Sequence, residues 1–457
     1  MAHMKNRVLI LLLLGTLVVL GFVLAKLVNQ SKPWNVILIT VDTLRADHLG
    51  VYGYAKNTSP NLDRFAKESL LFRRAYAHYP ATVPSVSCLM TSHYAHETKA
   101  LTNDYILPPE AVTLAEILKA NGYRTGAVAS NTALLNDAGL NQGFDDYDDD
   151  LEEKTVLGLE RNAEQTTRKA MAWLERHHQE KFFLWIHYMD PHGPYTPPAP
   201  YDTMFVDGRM PVGAALPVNK GVDGKGGIPE YQVLGEHRDP AFYIAQYDGE
   251  VRYFDHWFGE LLQALGKYGL WENSLLVFTA DHGEGLGEHD YYFDHTDFLY
   301  DELLHVPLIL RLPGPSAEGR ALHESVGQIE ILPEILRSLS IRSSEKFEDT
   351  GLLAGVTDKP IFAETFYGSP QFSLFTPDLK IIRSQSGYEI YDLQNDRREV
   401  TSLTDGALEG VLREKVSRLK ERLDSLRAQD RLGLGAPRVR LLAEMLHDRM
   451  KALGYVQ

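Results

Sequence analysis

The chain reads as an α/β protein built on a mixed, mostly parallel sheet flanked by helices, with a small C-terminal hairpin-plus-helix subdomain. Three observations carry that reading. Near-continuous apolar runs of strand length recur at Asn35–Val41, Phe182–His187 and Ser274–Ala280, as suits strands buried on both faces of a parallel sheet. Stretches of helical spacing lie between them, at Asn162–His178 and Phe242–Leu265, so strands and helices alternate. Beyond about Gly351 the texture changes, with two short hairpin strands ahead of charged helices.

The totals bound the function. At 457 residues the chain exceeds one simple core, which predicts one large domain and a smaller one. A formal charge of −16 argues against a nucleic-acid groove. A small anionic substrate remains compatible, because a bound cation reverses the local field. The single cysteine, Cys88, leaves no internal disulfide framework.

In chain order, no charged residue interrupts Val8–Ala25, with Lys5 and Arg7 before it and Lys26 and Lys32 after. That length suffices for a membrane-spanning helix. Residues 1–33 are therefore read as an uncleaved membrane anchor, with a cleaved signal peptide as the alternative. The flanking charges nearly balance, so counting them does not set the orientation; the body is expected on the periplasmic or extracellular side. Residues 34–355 are assigned to a catalytic domain and 356–457 to the C-terminal strands and helices.

Within the body, Leu62–Leu71 and Val112–Ala120 have helical spacing, and Arg124–Ser130 is a strand ending at Asn131. The acidic run Asp145–Asp150 reads as a solvated loop, and Tyr195 to about Gly227, rich in Pro and Gly, as a long surface loop. Val306–Arg311 is a further strand, Ile361–Glu364 a last strand of the main sheet, and Leu379–Arg383 with Tyr388–Leu393 a hairpin. Helices are expected at Gly406–Gln429 and Val439–Leu453.

Ligands bind at the carboxyl ends of strands in such sheets. Three buried-type runs here end in metal-ligand chemistry: Asp42, the pair Asp190/His192, and the pair Asp281/His282. Asp and His converging on one rim suit Zn²⁺, Mn²⁺ or a similar divalent cation, with Ca²⁺ or Mg²⁺ as alternatives. His295, in Phe293–Asp297, is a candidate for a second site. The stretch Ala81–Ser92 places small residues, a hydroxyl and Pro84 ahead of an apolar run. It reads as a turn into a helix whose N-terminus attracts an anion, with Thr82 where a nucleophile should stand. Cys88 is read as a small packed residue of that helix.

The string Asn35–Gly50, with Tyr52-Gly53-Tyr54, Thr58–Asp63, Ala280–Glu284 and Leu299–Glu302, resembles the opening and the metal-site motifs of the sulfatase family, within the alkaline phosphatase superfamily. Tyr388–Leu393 is similar to that family's C-terminal hairpin. The resemblance implies an alkaline phosphatase/sulfatase-like core holding a divalent cation and hydrolysing a sulfate or phosphate ester. Carried over by position, Asp42, Asp281 and His282 look like metal ligands, Thr82 like nucleophile and ligand, and His192 like the histidine facing the substrate's oxyanion. Asp190, His192 and His295 would supply a second metal.

The departures also carry information. Family sulfatases have Cys or Ser, then x-Pro-x-Arg, and convert that residue to formylglycine; here Thr82 takes the position and Val86 stands in place of the Arg. Thr43 follows Asp42 where a second acid is usual, and His282 stands where Asn is common. These features are similar to the phosphodiesterase, nucleotide pyrophosphatase and phosphoethanolamine-transferase branches. The expectation is a membrane-anchored, metal-dependent hydrolase of phosphate (or sulfate) esters with one or two Zn²⁺ or Mn²⁺ ions. Thr82 would be the nucleophile, assisted by His192 or His295, and the threonine favours phosphorus. The substrate would be a small anionic ester: a phosphorylated or sulfated lipid, glycan or nucleotide-like molecule. Alternatives are a sulfuric ester hydrolase without formylglycine, a membrane phosphotransferase, and a non-catalytic binding relative.

Overall fold

The computed structural model describes residues 34–440 apart from 152, 156–157, 207–214, 221–222, 315–318, 346, 348–351, 354–358, 405 and 407. Its main sheet has eight strands: β1 (Asn35–Val41), β2 (Leu70–Tyr76), β3 (Arg124–Val128), β4 (Asp146–Asp148), β5 (Phe182–Tyr188), β6 (Ser274–Ala280), β7 (His305–Arg311) and β8 (Arg320–Gly327). Their order across the sheet is β8-β2-β7-β6-β1-β5-β3-β4. Pairing is parallel except for β7, which runs antiparallel to both β6 and β2. The sheet is mixed and mostly parallel, as expected.

β1 is central and buried along its whole length. Its side chains alternate between two cores, because successive Cβ atoms on a strand point to opposite faces. Ile37, Ile39 and Val41 face helices α4 (Ala163–His177) and α5 (Pro240–Lys267), through side chains such as Trp173, Phe254 and Phe258. Val36 and Leu38 share the opposite core with helices α2 (Thr82–Thr91), α3 (Leu114–Ala120) and α6 (Ile331–Ser338), through side chains such as Val83, Val86, Leu118 and Ile335. Fully burying each such side chain contributes about 1.5–3 kcal/mol.

The register fixes where the site forms. Val41 lies beside Ala280 on one side and Tyr188 on the other. The residues that follow these strands therefore leave the sheet together at its carboxyl edge, where such sheets bind ligands. β3 pairs with β5 up to Val128 and Ile186, which brings Asn131 to the same rim.

The structure corrects several expectations. Helix α1 spans Pro60–Ala66 only, and Leu70–Leu71 belong to β2. Leu62, Phe65 and Ala66 form the helix's buried face; the helical spacing runs on by coincidence into a segment whose backbone pairs with β7 and β8. Asp146–Asp148 is an edge strand rather than a loop, its carboxylates held by Arg124, Arg161 and Lys169. Charged side chains are a usual device on an exposed edge.

Ile361–Thr365 (β9) is not a strand of the main sheet. It starts a separate four-stranded antiparallel sheet with β10 (Gln371–Phe375), β11 (Leu379–Ser384) and β12 (Gly387–Asp392). β11 and β12 are the expected hairpin, and helix α7 (Gly410–Arg427) packs its Val416, Leu419 and Leu423 with Leu374, Ile381 and Ile390. The helix expected over Val439–Leu453 lies almost wholly outside the described residues, as does the anchor expected at residues 1–33. No helix among the described residues is long and apolar enough to cross a membrane.

Candidate active site

The backbone of α2 starts at Thr82, after an extended Ala81. Its ten residues are all buried, as the small and apolar composition requires. Asn103 Oδ1 accepts the Val83 N–H at 2.9 Å, satisfying one of the unpaired donors of the first turn. Ser85 Oγ donates to the Asp281 carbonyl at 2.6 Å and so pins that turn to the end of β6.

Asp42, Asp281 and His282 offer ligand atoms that all lie within 4.8 Å of one another, and all three residues are buried. His282 Nε2 stands 3.7 Å from Asp42 Oδ1 and 3.6 Å from Asp281 Oδ2. Each side chain is oriented by a bond through its other atom. Asp42 Oδ2 accepts from the Asn131 amide and lies 3.4 Å from His187 Nε2. Asp281 Oδ1 accepts the N–H groups of Thr43 (3.2 Å) and His282 (2.8 Å). His282 Nδ1 donates to the Gly283 carbonyl at 2.9 Å, which leaves the Nε2 lone pair free to coordinate.

What remains is a set of buried atoms with no hydrogen-bond partner: Asp42 Oδ1, Asp281 Oδ2 and His282 Nε2 in the cluster, and Thr82 Oγ1 at the start of α2. A buried polar atom without a partner costs about 1–3 kcal/mol. Two carboxylates and an imidazole in one buried cluster are a donor set for a divalent cation, which would satisfy all of them at once. The residues present fit such an ion.

The electrostatics agree. Burial pushes the Asp42 carboxyl up, but nearby His192, the His187 hydrogen bond and His282 outweigh it and hold it well below the usual range. Burial and the charge of Asp42 push Asp281 well above its usual range. Burial, with His295 close by, lowers His282 to about 3 and keeps it neutral. Without a cation, one carboxyl of the pair takes up a proton; with one, both ionise.

Three histidines form a row. The His295 ring is 4.5 Å from that of His282, and the His192 ring is 5.1 Å from that of His295. Burial lowers the pKa of His192. Burial acts the same way on His295, but Glu284, 3.2 Å from its Nδ1, overcomes it and raises the pKa to about 9. His295 is therefore a cation at neutral pH, beside the cluster.

Asp190 takes a different place. It lies against Glu250, whose own carboxyl is pushed well up, by burial first and Asp190 second. Both line a cavity of about 490 Å³ with Tyr253, Trp257 and His192. The structure thus brings Thr82, Asp42, Asp281, His282, His192 and His295 to one rim, and turns Asp190 towards a carboxyl partner on α5. Val86 is fully buried in the core behind α2, and Cys88 is buried, its thiol pushed up by that burial. Asn131, His187 and Glu284 were not singled out from sequence. Asn131 lies just past the end of β3, a weaker form of the signal that marked Asp42, whereas His187 sits one residue inside the end of its strand.

Comparison with known proteins decides the family. The Sulfatase family model matches residues 34–341. The chain belongs to the sulfatase family. It is 26% identical over 461 residues to an arylsulfatase of Clostridium perfringens, covering 87% of this chain and 93% of that protein. It is 28% identical over 340 residues to human iduronate 2-sulfatase, covering 63% of this chain and 61% of the relative. Among solved structures, one bound to its substrate D-glucosamine-2-N,6-O-disulfate superposes with a TM-score of 0.73 at 20% identity, over 88% of this chain and all of the other. A phosphonate monoester hydrolase of Agrobacterium radiobacter superposes with a TM-score of 0.67 at 21% identity, over 87% and 96% of the two chains. The fold is the alkaline phosphatase/sulfatase-like α/β fold, and this sulfatase-family protein is a hydrolase acting on ester bonds.

Proposed function

We propose that this sulfatase-family chain is a metal-dependent hydrolase that opens the ester bond of a tetrahedral anion by attack of the Thr82 hydroxyl. The single observation that supports it is the set of buried, unpartnered atoms on Thr82, Asp42, Asp281 and His282. A divalent cation, Zn²⁺ or Mn²⁺ by its donor set, would be held by Asp42, Asp281 and His282, and would lower the pKa of a neighbouring hydroxyl and offset the substrate's charge.

The chain's own groups then divide the work. Thr82 Oγ1 gives up its proton to solvent and forms a bond to the central atom in line with the leaving oxygen, whose bond to that atom breaks. His295, kept protonated by Glu284, gives its proton to the leaving alkoxide. Water then attacks the threonine ester and the bond to Oγ1 breaks, one proton of the water passing to Oγ1; the inorganic anion departs and His295 regains its proton from solvent. His192, held towards the neutral form by burial, donates Nδ1–H to the Gly193 carbonyl at 2.8 Å, so in that form its Nε2 accepts a proton rather than donating one to the substrate.

Phosphorus is the central atom we favour. A phosphothreonine is open to in-line attack by water, whereas a threonine sulfate lacks the second hydroxyl of an aldehyde hydrate that expels sulfate. A sulfate ester is the second reading, favoured by the family match and by the named sulfatases among its relatives. We place the catalytic body outside the cytoplasm on an N-terminal anchor, on the strength of the uncharged Val8–Ala25 run.

The test uses the purified full-length chain in mild detergent, stripped with chelator and reloaded with Mn²⁺ or Zn²⁺. It is given aryl phosphate monoester, phosphodiester and sulfate ester in parallel. Metal-restored cleavage of a phosphoester with the sulfate intact supports the proposal. Cleavage of sulfate alone replaces phosphorus with sulfur, and no cleavage of any ester by metal-loaded protein refutes it.

A further inference from the structure

Arg440 lies some 350 residues after the nucleophile in the chain, yet its guanidinium is fully buried. The segment that carries it runs back across the body as a strap. Arg431 pairs with buried Glu97, the Ile106 N–H bonds to the Arg438 carbonyl, Val439 bridges to Tyr105, and the Arg440 N–H bonds to the Asp104 carbonyl. At its end Arg440 Nη1 donates to two carbonyls, that of Asn103 at 3.2 Å and that of Ala133 at 2.8 Å, while Nη2 pairs with Asp137.

Those two carbonyls belong to the two loops that hold the candidate site. Asn103 uses its side chain to accept the Val83 N–H, one residue past Thr82. Ala133 donates its N–H to Asn131 Oδ1 at 2.7 Å, and the Asn131 amide in turn donates to Asp42 Oδ2. One guanidinium thus fixes the distance between the loop that sets the nucleophile's helix and the loop that sets a metal-ligand carboxylate. A planar fork with five donors can span two carbonyls and a carboxylate at once; a lysine ammonium cannot do so in that geometry.

We propose that Arg440 is a positioning residue of the active site, holding Thr82 and Asp42 in mutual register from the C-terminal strap. The inference rests on the proposed roles of Thr82 and Asp42. Removing an outer partner bonded directly to a metal ligand lowers metal affinity or activity by about 10–100-fold; Arg440 acts on Asp42 through Ala133 and Asn131, so a smaller loss is expected.

The test compares full-length wild type with Arg440→Ala and with Arg438→Ala, whose exposed pair with Glu110 touches neither loop. Four quantities are read: Mn²⁺ affinity by competition with a chelator, ester turnover, exchange of the Val83 and Ala133 amides, and the melting temperature. In Arg440→Ala, Mn²⁺ affinity and turnover each fall about threefold to tenfold, below the loss for a directly bonded partner, and both amides exchange faster. Guanidinium ion at low, non-denaturing concentration restores all three, and Arg438→Ala matches wild type. Unchanged Mn²⁺ affinity and amide exchange overturn the proposal. So does a loss that guanidinium fails to restore in a variant melting like wild type. Should Arg440→Ala not fold, Arg440→Lys takes its place: wild-type values overturn the proposal, and weaker Mn²⁺ binding at a wild-type melting temperature supports it. A wild type that binds Mn²⁺ but cleaves no ester refutes the proposed function alone, because Mn²⁺ affinity and amide exchange still judge Arg440.

Discussion

Replacing Thr82 separates chemistry from structure more cleanly than any other substitution here. The side chain is fully buried, yet its hydroxyl has no hydrogen-bond partner, so Thr82→Ala removes no bond that holds the fold. The structural loss is one methyl group in a packed helix turn, about 1 kcal/mol, which lowers the melting temperature by a few degrees. Metal affinity should change less than about tenfold, since Asp42, Asp281 and His282 remain as ligands. Turnover, in contrast, loses its nucleophile. Removing the attacking hydroxyl of a hydrolase lowers kcat by about 10⁴–10⁶, or roughly 5–8 kcal/mol of transition-state stabilisation. Thr82→Ser keeps the hydroxyl and should stay within about tenfold of wild type. The assay is initial-rate hydrolysis by the Mn²⁺-loaded protein, with calorimetry for Mn²⁺ and mass analysis of the 82–91 peptide after rapid quench. An adduct of the inorganic acid on that peptide in wild type and Thr82→Ser, absent in Thr82→Ala, completes the expected pattern. Thr82→Ala retaining more than about a tenth of the wild-type rate would refute the mechanism.

Three further outcomes follow from the same geometry. Asp281 is pushed up by burial and by Asp42, so in chelated protein the folded state binds its proton more tightly than the unfolded chain does. Its stability contribution is present below the ordinary Asp pKa and is lost as pH rises towards the raised one. Chelated Asp281→Asn should therefore melt higher than chelated wild type at neutral pH and lose the stabilisation that Mn²⁺ gives wild type, as read by thermal denaturation with and without the ion. Asn131→Ala unhooks Asp42 and should weaken Mn²⁺ binding about 10–100-fold, measured by chelator competition. His78 is buried, donates Nδ1–H to the Phe362 carbonyl at 2.6 Å, and is lowered by burial to about 3. It is held neutral, so its contribution is complete above pH 6.5 and is lost as pH falls from 6.5 towards 3, about 2 kcal/mol by pH 5. His78→Gln should flatten the acid limb of the stability curve in urea titrations across that range, and an unchanged slope would remove His78 as its cause.

Much of the buried Asp42/Asp281/His282 cluster was legible because two apolar strands end where candidate ligand side chains begin. Asp42 and Asp281 are the first polar residues after fully buried runs, and parallel pairing with matched register carries them to one edge. His187 obeyed the same rule less visibly, since it sits one residue inside the end of β5 and reads as part of the run. Other features depended on partners far along the chain. Asp190 carries the same strand-end signal as Asp42, but it meets Glu250 on α5, and no local pattern announces that meeting. The Leu62–Leu71 spacing continues a helix that the backbone abandons at Ala66, because β2 is wanted between β7 and β8.

The chain's net charge of −16 and the anionic substrate proposed for it are reconciled by the same division of labour. At position 86 the sulfatase arginine is replaced by a valine packed into the core, so that side chain brings no positive charge to the site. Beside the carboxylate cluster stands His295, its pKa raised by Glu284, and a divalent ion held by Asp42, Asp281 and His282 would add the second positive charge. Left bare, the pair keeps one buried carboxylate, Asp42, that repels an incoming anion. The pair's placement is favourable only when a divalent charge sits between it and the substrate, which ties turnover to metal loading more tightly than in a site with its own arginine. At limiting Mn²⁺ the rate should therefore follow metal occupancy, with no residual turnover in fully chelated protein. A metal-free rate above about a hundredth of the loaded one would show that His295 and the amino end of α2 suffice to receive the anion.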